Sequence, residues 1–205
     1  MTGNRAVSAG AAVAAGLLIA RCSTSGPDPS EPSTSSTVAS SPTTTGAEVT
    51  TDPAELAAEQ AVALVPTYVQ TIDELYEDPS RPLDDVYAVA VASEATAEAT
   101  AIQAFRAQGY QQAGRSQVVT ATAGPVDLTN DPNAAPEPLL PTVTVTACID
   151  VSQVQATDAG GTSVVAPDRP PYLIQQLMIV NIDYPDAGSW RVTEAPNQQA
   201  QSCDG

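Results

Sequence analysis

The chain has 205 residues, 24 Asp plus Glu against 7 Lys plus Arg, no His, three Cys and a formal net charge of -17. All seven cations are arginines, too few and too scattered to displace the counterions of a nucleic acid or to hold an anionic lipid surface. Without His, the usual general base near neutrality, His-ligated metals and Ser-His or Cys-His nucleophile pairs are excluded, and no cofactor is implied. The 42% apolar content is enough for one core.

The first residues read as an export signal. Arg5 is the only charge before an Ala-rich apolar stretch over 6–20, the length of a secretory h-region and short of a spanning helix. The junction Leu18-Ile19-Ala20-Arg21-Cys22 resembles a bacterial lipoprotein lipobox, in which Ile19, Ala20 and Cys22 fit and Arg21 stands where Gly, Ala or Ser is usual. The resemblance implies a signal peptide over 1–21, lipidation of Cys22 and membrane attachment through that lipid on the outer face of the cell membrane. Cutting elsewhere would instead give a secreted protein, and no cutting a signal anchor.

Three cysteines in an exported chain leave an odd one, and Cys22 is the natural one to set aside. Cys148 and Cys203 then form the expected disulfide, whose loop of about 55 residues is worth on the order of 4 kcal/mol in the chain-entropy model. The alternative is two buried thiols. Residues 22–52 are Ser, Thr, Pro and Gly with few apolar side chains, a composition that offers no burial to offset ordering. They read as a disordered linker of about 30 residues, reaching roughly 30 Å if coil-like, and Ser/Thr with Pro also suits O-glycosylation.

A folded domain over 53–205 starts at Asp52-Pro53-Ala54-Glu55, which offers an N-cap acceptor, Pro at the first helical position and an acid in the first turn. Ala58, Ala61, Val62, Val65, Tyr68, Val69, Ile72, Leu75 and Tyr76 then recur at helical spacing, and Asp78-Pro79 ends the helix. Pro66 removes one amide and is expected to kink it. A second helical region spans about 82–108, with a break near Ser93 and Gly109 as its left-handed cap.

After Gly114 the period becomes two. Strands are expected over 118–128, bent or bulged at Gly124-Pro125, and over 142–152, with Val143, Val145, Ala147, Ile149 and Val151 on one face. Asp158-Ala159-Gly160-Gly161 reads as a hairpin turn into 162–165. A strand over 172–183, apolar on both faces, is expected at the centre, and the last strand covers 189–193. Helices followed by a meandering antiparallel sheet mean α+β, with the helices packed on one face.

Those helices, the segment Gly109-Tyr110-Gln111-Gln112-Ala113-Gly114, the strand Val143-Thr-Val-Thr-Ala-Cys-Ile-Asp-Val-Ser152, the later Trp190-Arg191-Val192 and the terminal Cys203 resemble a known group. It comprises small exported proteins and lipoproteins of actinobacteria that carry a nuclear transport factor 2-like domain, a cone of sheet wrapped on helices. The resemblance implies that cone over residues 53–205 and allows a homodimer through the sheet; the fold hosts enzymes and binders alike.

Enzymes that this fold resembles, the ketosteroid isomerases among them, use an inward carboxylate base with a hydrogen-bonding partner. By residue type the candidates are Asp73, Asp84, Asp85 or Asp150 with Tyr68, Tyr76 or Tyr87, none of them in a matching motif. The weightier readings are a helix first turn for Asp84 and Asp85, a solvated or turn-bonded acid for Asp150, and core or rim positions for the tyrosines and Trp190. Asp127, Asn130 and Asp131 lack calcium-loop spacing, so no metal site is expected. Arg169-Pro170-Pro171 reads as a rigid lead into the central strand. The favoured expectation is a non-catalytic extracytoplasmic module that binds an envelope protein partner, with no catalytic residue assigned. The other is a small-molecule or isomerase-like site, which would require an open apolar cavity holding one buried carboxylate of raised pKa.

Overall fold

The computed structural model describes residues 52–204. The export signal, Cys22 and almost all of the linker lie outside the described residues.

Helix α1 (Pro53–Glu77) begins as its sequence dictates: the Asp52 carboxylate accepts from the Ala54 amide at 2.8 Å, and Pro53 occupies a position that needs no donor. Pro66 sits within the helix on its exposed side, and the helix runs on to the Asp78 cap. The second helical region divides into a 3-10 helix (Leu83–Ala88) and α2 (Ala92–Ala107). They part where Ala90 bridges Val192 and the amides and carbonyls of Val89, Val91 and Val192 exchange hydrogen bonds of 2.9 Å. Helix α2 closes on Gly109 at φ +71, with Gly109 N–H donating to Arg106 O and Tyr110 N–H to Phe105 O, while the Phe105 and Tyr110 rings pack edge to face.

The strands are β1 (Gln111–Ala113), β2 (Gln117–Asp127), β3 (Thr142–Asp150), β4 (Gln155–Thr157), β5 (Tyr172–Asn181), β6 (Trp190–Glu194) and β7 (Asn197–Ala200). Five form one antiparallel sheet in the order β2-β3-β5-β6, with β7 pairing the other end of β5. Strands β1 and β4 make a separate two-stranded sheet. The apolar β5 is central, bordered by β3 on one side and by β6 and β7 on the other. The register of β2 shifts between Ala123 and Val126, at the Gly124-Pro125 step.

The protein is thus α+β, with its helices laid on one face of the sheet. Val143, Val145, Ala147 and Ile149 of β3, with Leu177 and Ile179 of β5, face Val65, Tyr68, Leu75 and Ile102 of the helices. Trp190 is a core aromatic, 2% exposed, its indole N–H donating to Gln60 Oε1 at 2.8 Å. On the opposite face Cys148 is bonded to Cys203, with Cα atoms 5.6 Å apart, which ties the C-terminal tail to β3.

Two expectations changed in detail. The turn after Asp158 forms, its carboxylate accepting from Gly160 N–H and Thr162 N–H, but the return segment contributes only a Thr157–Ser163 bridge instead of a strand. The tail Asn197-Gln198-Gln199-Ala200 is itself a strand, hydrogen-bonded to β5.

Candidate functional site

A cleft of about 140 Å³ lies between residues of α1 and α2 and the end of β5 that β7 borders. Ile72, Ile149, Val151 and Leu173 form its apolar wall, and its polar groups are Tyr68, Asp73, Glu98, Ser116, Gln175 and Asn197. The positions follow from local structure. Tyr68 and Asp73 lie on the buried stripe of α1, Glu98 lies on α2 between Ala95 and Ile102, and Gln175 falls on the inner face of β5 opposite Ala147.

Asp73, 5% exposed, is fully engaged. One carboxylate oxygen accepts from Gln112 Nε2 at 2.9 Å and Ser116 Oγ at 3.1 Å, the other from the Ser116 amide at 2.7 Å. A buried carboxylate tolerates its site when several donors face it, and this one fastens α1 to β1 and to the start of β2. Gln175, also buried, donates to Ala195 O at 3.1 Å.

Tyr68, 3% exposed, donates its hydroxyl to Glu94 Oε1 at 2.6 Å. Burial first, then the charges of Glu98 and Glu94, hold its ionisation far above the ordinary phenol range. Tyr76 is pushed up to about 12 by burial and by Glu98. Glu98 is the perturbed acid of the group. Burial, followed by the like charge of Glu94 one turn away, pushes its carboxyl up to about 7, and the Tyr68 hydroxyl offsets only part of that rise. That rise brings the carboxyl toward the range in which a group can take or give a proton near neutrality.

Of the residues considered from sequence, the structure brings Tyr68 and Asp73 to one cleft and places Tyr76 where it feels Glu98. Asp84, Asp85, Tyr87 and Asp150 do not line it. Asp84 is exposed, Asp85 pairs with Arg81 at 3.0 Å, and Tyr87 is 52% exposed. Ser152 hydrogen bonds hold Asp150 below the usual carboxylate range. In the loop after β2, Asp127 and Asp131 accept from the amides of Thr129 and Asn133, each closing its own turn. Among the described residues no three His, Cys, Asp or Glu side chains gather as metal ligands.

Glu98 was not among the sequence candidates, although a signal existed. Glu94 and Glu98 are four residues apart, and with Ala95 and Ile102 they share the face that α2 turns inward. An acid pair inside an apolar stripe marks carboxylates that the fold must bury.

No family model matches the chain, and no curated protein matches it. Among solved structures, the intermembrane space region of the chloroplast protein ARC6 is similar at a TM-score of 0.46 and 10% identity, over 70% of this chain and 97% of that one. That likeness is too distant to carry an argument about function.

Proposed function

We propose that the chain is a non-catalytic binding or accessory module of the cell envelope, lipid-tethered through Cys22 to the outer face of the membrane and working on a protein partner. Its domain is read as a nuclear transport factor 2-like cone in an actinobacterial lipoprotein. Helices laid on a five-stranded antiparallel sheet support that reading of the fold, and the pairing of Cys148 with Cys203 supports it for Cys22, the cysteine left over.

One observation carries the non-catalytic part. In the cleft, the Tyr68 hydroxyl proton is committed to Glu94 and the Asp73 oxygens already accept three hydrogen bonds. Proton transfer alpha to a carbonyl needs a base and a separate donor to the carbonyl oxygen. Glu98 can serve as the first, and neither Tyr68 nor Asp73 is free to be the second. The cleft, at about 140 Å³, is also below the roughly 300 Å³ of ordinary small-molecule sites.

The second reading, an isomerase-like or ligand-binding cone, draws support from the Glu98 carboxyl at about 7. Mass spectrometry of the full chain, exported by an actinobacterial host and purified without reductant, separates the two. The denaturing mass is expected to begin at a diacylated Cys22 and to be short by the hydrogens of one disulfide. The native mass is expected to show the bare protein, as monomer or as a dimer through the sheet. A stoichiometric small-molecule adduct that the Glu98→Gln variant loses would overturn the non-catalytic reading.

A further inference from the structure

A second cavity lies away from the Glu98 cleft. It measures about 460 Å³, sits between the ends of β3 and β4 and the segment leading into β5, and is walled by Val165, Ala166, Pro167 and Pro171. Ser152, Gln155, Ser163 and Arg169 bring polar groups to it. Its volume falls within the range of ordinary small-molecule sites.

Among the described residues Arg106, Arg169 and Arg191 have no carboxylate within 4.0 Å, and of these three Arg169 lines the cavity. Of the seven arginines, Arg5 and Arg21 lie outside the described residues. Arg81 pairs with Glu74 and Asp85, and Arg115 with Glu74 and Glu77. Arg106 donates to the carbonyls of Leu75, Asp78 and Arg81, and its buried Nε has no partner among the described residues. Arg191 donates from Nη1 to the carbonyls of Gly188 and Trp190, and its buried Nε likewise has none. Arg169 uses one nitrogen alone: Nη2 donates to Val151 O at 2.6 Å and Val154 O at 2.9 Å. Among the described residues no carboxylate lies within 4.0 Å of it, and Nε and Nη1 have no protein acceptor.

We propose that this cavity binds a single carboxylate, held by a free N–H donor of the Arg169 guanidinium, with the proline walls against its apolar body. One cation answers one negative charge; a phosphate dianion would bring an unanswered second charge to a protein of net charge -17. The two carbonyl bonds fix the guanidinium before a ligand arrives, so little side-chain freedom is lost on binding. The Ser152 hydroxyl and the Gln155 amide supply neutral donors around it. A free small acid and a peptide C-terminus present this same group.

The test is a titration of the full chain, followed by amide NMR shifts, with benzoate, benzamide, N-acetyl-dialanine and N-acetyl-dialanine amide. Each acid is expected to give saturable shifts at Ser152, Gln155, Ser163 and Arg169, and each amide to bind about tenfold or more weakly. Stronger binding of benzoate identifies a free acid as the source, and stronger binding of the dipeptide acid a C-terminus. Arg169→Ala would also release the Val151 and Val154 carbonyls and disturb the fold. Gln155→Glu, on the exposed side of β4, therefore provides the folded control: it places an anion in the cavity and is expected to abolish binding of the acids. Equal binding of acids and amides, shifts scattered outside the cavity, or a Gln155→Glu variant that still binds would each overturn the proposal.

Discussion

Glu98→Gln is predicted to stabilise the protein above neutrality and to leave it unchanged below pH 4.5. In the unfolded chain the carboxyl titrates at its ordinary value of 4.5; in the fold burial and Glu94 push it to about 7. Between those values the native state holds a proton that the unfolded state has released, so stability falls as pH rises through this window and is flat above it. At about 1.36 kcal/mol per unit, the shift is worth up to roughly 3 kcal/mol; Glu98 keeps partial contact with water, which lowers it to about 2. For a domain of this size, 2 kcal/mol corresponds to a rise in Tm on the order of 4–8 °C. The groups facing Glu98 are Glu94 on its own helix with Tyr68 and Tyr76 on α1, and neither tyrosine ionises in this range. Thermal unfolding followed by circular dichroism at pH steps from 4 to 9 gives two curves that should meet in acid and separate through neutrality. Curves that stay parallel across the range would refute the burial argument, because a neutral amide would then have replaced a carboxyl that never carried the cost.

Further outcomes follow from single contacts. Gly114 has φ +76, and a Cβ there would sit 2.0 Å from the Gln153 carbonyl oxygen; Gly114→Ala should destabilise by roughly 2–4 kcal/mol, read from the denaturant midpoint. Asp73→Asn turns an amide toward groups that already donate and should cost about 2–3 kcal/mol by the same measurement. Cys203→Ser opens a loop with sequence separation 55 and should lower stability by about 4 kcal/mol, matched by reduction of the wild type and not additive with it. Cys22→Ser should end incorporation of labelled fatty acid and release the protein from the membrane fraction.

Much of the fold was legible because its signals are short-range. Asp52-Pro53 is a cap wherever it precedes an apolar stripe, and Gly109 ends α2 because its left-handed backbone lets the amides of Gly109 and Tyr110 reach two helix carbonyls. The alternation of 142–150 and the two-sided apolarity of β5 encode burial directly. Strands β1, β4 and β7 were not read, since three or four polar residues acquire strand geometry only from the edge they pair with. The candidate site was half legible. Tyr68 and Asp73 are candidates by type and do share a cleft, while Glu98 is legible only through its i, i+4 pairing with Glu94 beside Ala95 and Ile102, because the Ala-rich stripe of α2 is weak.

Central strand β5 receives both neighbours on its outer side, β6 and β7, from residues 190–200, and the indole of Trp190 reaches back 130 positions to Gln60. A chain delivered from its N-terminus therefore presents α1 and α2 long before the surfaces that cover them exist. Closure of the core therefore depends on pairings distant in sequence, which slow folding relative to a helical bundle. Low net hydrophobicity on α2 and the acidic charge of the helical segment, Glu55, Glu59, Glu74, Glu94 and Glu98 among it, disfavour association of chains whose core is not yet closed.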